Sequence, residues 1–112
     1  MDKLKIIGKA NLSGSIDIPG AKNAALPIMI CSLLSKQKLH LNNIPNLVDI
    51  HTMKKLLESL GIKFKNNKIS MTLIPSKIEK YEADYNLVRK MRASILVLGP
   101  LLSRYRKAKI SL

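Results

Sequence analysis

Gly20-Ala21-Lys22-Asn23-Ala24-Ala25-Leu26-Pro27 is the stretch on which the reading of this chain turns. Pro19-Gly20 ends whatever precedes it, because proline has no donor for a strand ladder and glycine permits a sharp change of direction. A helix is predicted from about Lys22 to Ser35, with Leu26, Ile30, Leu33 and Leu34 as a buried stripe. Pro27 fits that helix only near its first turn, where an amide hydrogen is not yet required. Cys31 lies beside the stripe and reads as a small core residue. A lysine and an asparagine stand where a glycine turn enters a helix. There the side-chain cation adds to free backbone amides and to the positive end of the helix dipole. Such a place suits a small dianion such as a phosphorylated acid, although the spacing alone also fits an ordinary helix start.

Upstream, Leu4-Lys5-Ile6-Ile7 and Ser15-Ile16-Asp17-Ile18 flank a turn at Asn11 to Gly14, which predicts an N-terminal hairpin. Downstream, Lys38-Leu39-His40-Leu41 alternates as a strand does. Asp49 then reads as the N-cap of a helix with Met53, Leu56, Leu57 and Leu60 on one face, stopped by Gly61. Ile62 to Lys65 and Ile69 to Leu73 form a second predicted hairpin, pointing Ile62, Phe64, Ile69, Met71 and Leu73 inward. A helix is predicted from Leu87 to Leu102 with Gly99-Pro100 as a kink or break. Ala108 to Leu112 reads as a strand with nothing after it to pair with. After the first helix the order β, α, β, β, α, β predicts an α/β fold, α+β-like in its mixed sheet.

Composition narrows the class. The chain has 112 residues, 46% hydrophobic, which excludes a disordered tail. Its formal charge of +13 invites a nucleic-acid reading. The lysines are dispersed, however, and only Arg104, Tyr105, Arg106, Lys107 and Lys109 cluster, with a single aromatic to stack a base. A solvated Lys-rich surface is the expectation, with no nucleic acid as partner. The single Cys31 forms no internal disulfide, and no apolar run is long enough for a secretory signal or a membrane span. A cytoplasmic protein without a membrane association is expected.

Few residues suggest chemistry. His40 and His51 stand apart from cysteines and carboxylates, so no metal site is expected. Asp17, Asp49, Glu58, Glu79, Glu82 and Asp84 show no pairing suited to acid–base work. Val88-Arg89-Lys90-Met91-Arg92-Ala93-Ser94 places three cations ahead of an apolar segment, and Arg89 and Arg92 share a helical face from which one could reach an anion.

Taken together, Gly20 to Pro27 and Met91-Arg92-Ala93-Ser94-Ile95-Leu96-Val97-Leu98-Gly99-Pro100-Leu101-Leu102 resemble two signatures of the UDP-N-acetylglucosamine 1-carboxyvinyltransferase family. Asn43-Ile44-Pro45-Asn46-Leu47-Val48-Asp49-Ile50-His51-Thr52-Met53 between them resembles the family's lead into its second helix. The resemblance runs from Met1 to Leu112.

It implies an enzyme that moves the enolpyruvyl group of phosphoenolpyruvate to the 3′-hydroxyl of UDP-N-acetylglucosamine, the first committed step of peptidoglycan synthesis. The implied route is addition and elimination without metal or organic cofactor. The implied fold has two domains of repeated βαβαββ units. Residues 1–20 would belong to the domain completed by a C-terminal half, and 21–112 would begin the other. By position, Lys22 and Asn23 would bind phosphoenolpyruvate and Arg92 would bind UDP-N-acetylglucosamine. The family's general-acid cysteine would fall just beyond Leu112, so no catalytic residue is expected within the chain. The 112 residues alone are expected to be inactive, with a separate C-terminal portion as a possible partner. The related 3-phosphoshikimate enolpyruvyl transferases place Ser where this chain has Asn23, and lack the Met-Arg-Ala-Ser run. Such a fragment and a small basic nucleic-acid-binding module are the alternatives.

Overall fold

A computed structural model of the chain describes residues 2–8, 11–67, 69–78 and 80–110. Helix α1, Lys22–Ile30, continues into a 3₁₀ turn, Cys31–Leu33. It buries Ala25, Leu26, Met29 and Ile30, then Ser32 and Leu33. Two expectations are corrected here: Cys31 is exposed, and Leu34 is 51% exposed. A 3₁₀ turn has three residues per turn, so residues three apart eclipse, and Cys31 and Leu34 turn outward together. Pro27 lies inside α1, not in its first turn. Without an N–H it leaves the carbonyl of Asn23 lacking its usual helical donor.

Helix α2, Val48–Ser59, starts one residue before Asp49, with Leu47 as its N-cap. Asp49 is therefore a first-turn residue, where its charge favours the helix dipole. Ile50, Met53, Leu56, Leu57 and Leu60 are buried. Gly61 ends the helix at φ 108°, a conformation that side chains rarely adopt.

The strands β1 (Leu39–Asn42), β2 (Ile62–Asn66) and β3 (Ser70–Pro75) form an antiparallel sheet in the order β1-β3-β2. Leu39 pairs with Leu73, Leu41 with Met71, and Phe64 with Leu73. Met71, Leu73 and Ile62 enter the core, where α2 packs on β2 and the 3₁₀ turn packs on β3. Ile69, expected inward, precedes β3 and is 70% exposed.

The long helix predicted over 87–102 is three shorter pieces. These are α3 (Tyr85–Val88), a 3₁₀ segment (Arg92–Val97) and α4 (Leu98–Tyr105). Asp84 caps α3 by accepting the N–H of Asn86 at 2.7 Å. The break falls before Gly99-Pro100, and Pro100 sits in the first turn of α4, where it displaces no helical hydrogen bond. The last strand does find a partner: β5 (Lys109–Ile110) pairs in parallel with β4 (Glu82–Ala83), which alternation had not revealed. The fold is thus α/β, as expected, but the antiparallel and parallel pairings fall in two separate sheets and not in one mixed sheet. Ser111 and Leu112 of the predicted strand lie outside the described residues.

The predicted N-terminal hairpin does not form among the described residues 2–8 and 11–20, which carry no strand. Lys9 and Ala10 lie outside them. Leu12 is 93% exposed and Ile16 90%. A two-stranded hairpin with no layer packed on its apolar face is marginal in water, and among the described residues none covers this segment. No described helix is long and apolar enough to cross a membrane.

Candidate functional site

The first turn of α1 is open. Ala21 is the N-cap and has no side-chain oxygen to cap the helix. Its carbonyl accepts the N–H groups of Ala24 and Ala25 at 3.2 and 2.9 Å. The N–H groups of Lys22 and Asn23 have no acceptor among the described residues. A helix start exposing free amides attracts anions.

Lys22 at such a start has the wrong sign for the helix itself, since cations are unfavourable beside the positive end of the dipole. Its counter-charge comes from the other helix: Lys22 Nζ lies 2.8 Å from Asp49 Oδ2. The first turns of α1 and α2 therefore meet at this pair. Sequence reading took Asp49 for a cap and missed this contact, because no local periodicity links the two positions.

A second contact fixes the turn ahead of Lys22. Asn43, left-handed at φ 56°, donates from Nδ2 to the carbonyl of Ile18 at 3.2 Å. Its own carbonyl lies so close to Gly20 that a β-carbon there would come within 2.1 Å of the oxygen. Ile44 N–H donates to Ile69 at 3.1 Å, which ties this grip to the sheet. Glycine is thus required at position 20 by close approach of backbone.

Asn23 follows Lys22 on α1, exposed and with no side-chain hydrogen bond among the described residues. Arg92 opens the 3₁₀ segment, which packs against α1. It is exposed, and no hydrogen bond or ion pair among the described residues joins it to Lys22 or Asn23. The three residues are thus exposed on two elements that pack on each other, and the structure does not bring Arg92 into polar contact with Lys22 or Asn23. A cavity of about 180 Å³ nearby is lined by Asn46, His51, Lys54 and Asn67 among others, and by none of the three. Arg89, the other cation considered for an anion, lies over the Tyr85 ring at 5.8 Å.

Three members of the basic cluster, Arg104, Tyr105 and Lys109, have structural partners. Arg104 Nη1 donates to the carbonyls of Leu33 and Ser35 at 2.7 and 2.8 Å, closing the C-terminal end of the first helical run. Tyr105 packs with Tyr81, ring centroids 5.5 Å apart, and Lys109 pairs with Glu82 at 2.7 Å. The two histidines are likewise engaged: His40 Nδ1 with Thr72 Oγ1 at 2.6 Å, and His51 Nε2 with Asn46 Oδ1 at 2.7 Å.

Comparison with known proteins bears on this arrangement. Residues 6–112 match the family model described as EPSP synthase (3-phosphoshikimate 1-carboxyvinyltransferase). The whole chain aligns with the UDP-N-acetylglucosamine 1-carboxyvinyltransferase of Idiomarina loihiensis at 52% identity, covering 27% of that protein. The proteins of the same name from Rickettsia bellii and Aliarcobacter butzleri are 53% and 46% identical over the whole chain. The chain thus spans about a quarter of the length of these relatives. In structure it resembles the enolpyruvyl transferase NikO from Streptomyces tendae, with a TM-score of 0.73 over 83% of this chain and 22% of that one. At 20% identity that likeness speaks for the fold alone. A family match over nearly the full length, a shared fold and relatives near half-identical lead to one conclusion: the chain belongs to the EPSP synthase (3-phosphoshikimate 1-carboxyvinyltransferase) family of enolpyruvyl transferases.

Proposed function

We propose that this chain is the N-terminal segment of an enzyme that transfers the enolpyruvyl group of phosphoenolpyruvate to the 3′-hydroxyl of UDP-N-acetylglucosamine, with release of phosphate. The observation that carries the reading is the uncapped first turn of α1, where Lys22 supplies a cation and the amides of Lys22 and Asn23 have no acceptor among the described residues. Phosphoenolpyruvate is a compact, multiply charged anion, and such a turn complements it. Lys22 and Asn23 bind phosphoenolpyruvate in this reading, and Arg92 binds UDP-N-acetylglucosamine. Preorganised positive charge of this kind stabilises charge that develops during addition and elimination. The relatives' shared name supports UDP-N-acetylglucosamine as acceptor over a shikimate phosphate. Asn23 supports it too, since the shikimate enzymes resemble this chain less at that position. The setting that goes with this chemistry is cytoplasmic peptidoglycan synthesis.

The exposed N-terminal arm fits the same reading. Residues 1–20 belong to a domain completed by sequence outside this chain, and 21–112 begin the other domain. Leu4, Ile6, Leu12, Ile16 and Ile18, apolar and uncovered, support a docking role for the arm.

Two measurements test the proposal. Phosphoenolpyruvate titrated into the isotopically labelled chain should shift the amide resonances of Lys22 and Asn23, and UDP-N-acetylglucosamine should shift those around Arg92. In a chimera carrying this segment in place of its counterpart in the Idiomarina enzyme, turnover should persist and fall at least a hundredfold on Lys22→Ala. An inactive but folded chimera, or activity indifferent to Lys22, would sink the reading.

A further inference from the structure

The segment from Asn43 to Asp49 grips the turn from Ile18 to Lys22 at both ends. Asn43 holds the Ile18 carbonyl and abuts Gly20, while Asp49 holds the Lys22 ammonium. We propose that Asp49 is a positioning residue for anion binding: it holds Lys22 ready for the ligand without touching the ligand itself. This rests on the anion site proposed above.

The chemistry follows from the donor inventory. A lysine ammonium has three N–H donors and a flexible four-carbon stem that loses rotamer freedom when an anion orders it. Asp49 Oδ2 at 2.8 Å engages one donor and leaves two for a ligand. Part of the ordering is therefore complete before an anion arrives, which is preorganisation. The pair is only partly covered, with Lys22 43% and Asp49 33% exposed, so it adds little to folding stability by itself. Its effect should be read in the order of the lysine and in ligand affinity, not in global stability. Asn43 and Gly20 fix the backbone from which Lys22 projects, so the restraint acts on a single torsionally mobile side chain.

The test uses the whole 112-residue chain with ¹³C-labelled lysine, the Lys22 signal assigned from its loss in Lys22→Arg. Relaxation of the Lys22 ε-methylene should show restricted motion in the parent chain and free motion in Asp49→Asn, with partial restoration in Asp49→Glu. Phosphoenolpyruvate affinity should fall roughly three- to tenfold in Asp49→Asn, a fraction of the ordering a lysine side chain undergoes. In a Lys22→Ala background, Asp49→Asn should change affinity by less than about twofold, because the effect passes through Lys22. Equal Lys22 mobility in the parent and Asp49→Asn overturns the proposal whether or not phosphoenolpyruvate binds. So does a loss of affinity that persists in Lys22→Ala, which marks a merely structural role. If the parent binds no phosphoenolpyruvate but Lys22 order depends on Asp49, the restraint stands and the proposed function falls.

Discussion

Gly20 and Asn43 approach each other so closely that the carbonyl oxygen of Asn43 occupies the place where any β-carbon on residue 20 would go. The contact joins the turn before α1 to the end of β1, and it sets the backbone on which Lys22 stands. Substitution there acts on the site through geometry, with no change of charge.

Gly20→Ala should lower stability by about 1–3 kcal/mol, the range for forcing atoms into a filled space. Gly99→Ala is the control: nothing lies within 4 Å of a β-carbon there, and the residue is helical. It should be neutral or stabilising by up to about 1 kcal/mol. Urea midpoints of both variants check the pair. Equal midpoints would mean that the Gly20–Asn43 approach is not maintained in solution.

Arg104→Ala should be destabilising by about 1.5–3 kcal/mol, since it removes two hydrogen bonds from a charged donor to the carbonyls of Leu33 and Ser35. Arg104→Lys should recover part of the loss, because a lysine keeps the charge but not the planar fork. Thermal melts of the three chains give the ranking. A harmless Arg104→Ala would place this side chain in solvent instead.

Ser94→Ala should raise stability by about 1 kcal/mol. The hydroxyl is fully buried and has no hydrogen-bond partner among the described residues, so removing it relieves an unmet desolvation penalty. A loss on removal would reveal a partner for Ser94 Oγ, and a difference in denaturation midpoint decides between the two.

Ile16→Ser with Ile18→Ser should leave the free energy of unfolding within about 0.5 kcal/mol of the parent, as expected of exposed positions. Self-association measured by sedimentation should decrease, because exposed apolar side chains promote it. A drop in stability would show that the arm packs on the rest of the chain.

What could be read beforehand divides along physical lines. The face of α2 was legible because periodicity there coincides with burial: Met53, Leu56, Leu57 and Leu60 all lie in the core. So do Ile62, Met71 and Leu73 of the β2–β3 hairpin, whereas Ile69 falls before β3 and is exposed. The stretch from Tyr85 to Tyr105 was not, since its apolar residues are too continuous to mark where α3, the 3₁₀ segment and α4 divide. β4 is two residues long, too short for any alternation to show. At the candidate site, Lys22 and Asn23 stood out by resemblance and by their place at a helix start, and Arg92 by resemblance and by its place among three cations ahead of an apolar segment. Asp49 and Asn43 did not, because their roles are long-range contacts that only the folded chain brings about.

The sheet order β1-β3-β2 also has a temporal consequence. β3 follows β2 after a connection short in sequence, whereas its other edge waits for β1, which lies more than thirty positions away at pairs such as Leu39 with Leu73. Closing the longer loop has the larger entropic penalty, so the β2–β3 hairpin should assemble early and β1 should dock later. Asn43 directly follows β1. The turn bearing Lys22 can therefore take its final shape only when that late docking is complete, which makes an ordered Lys22 a marker of finished folding.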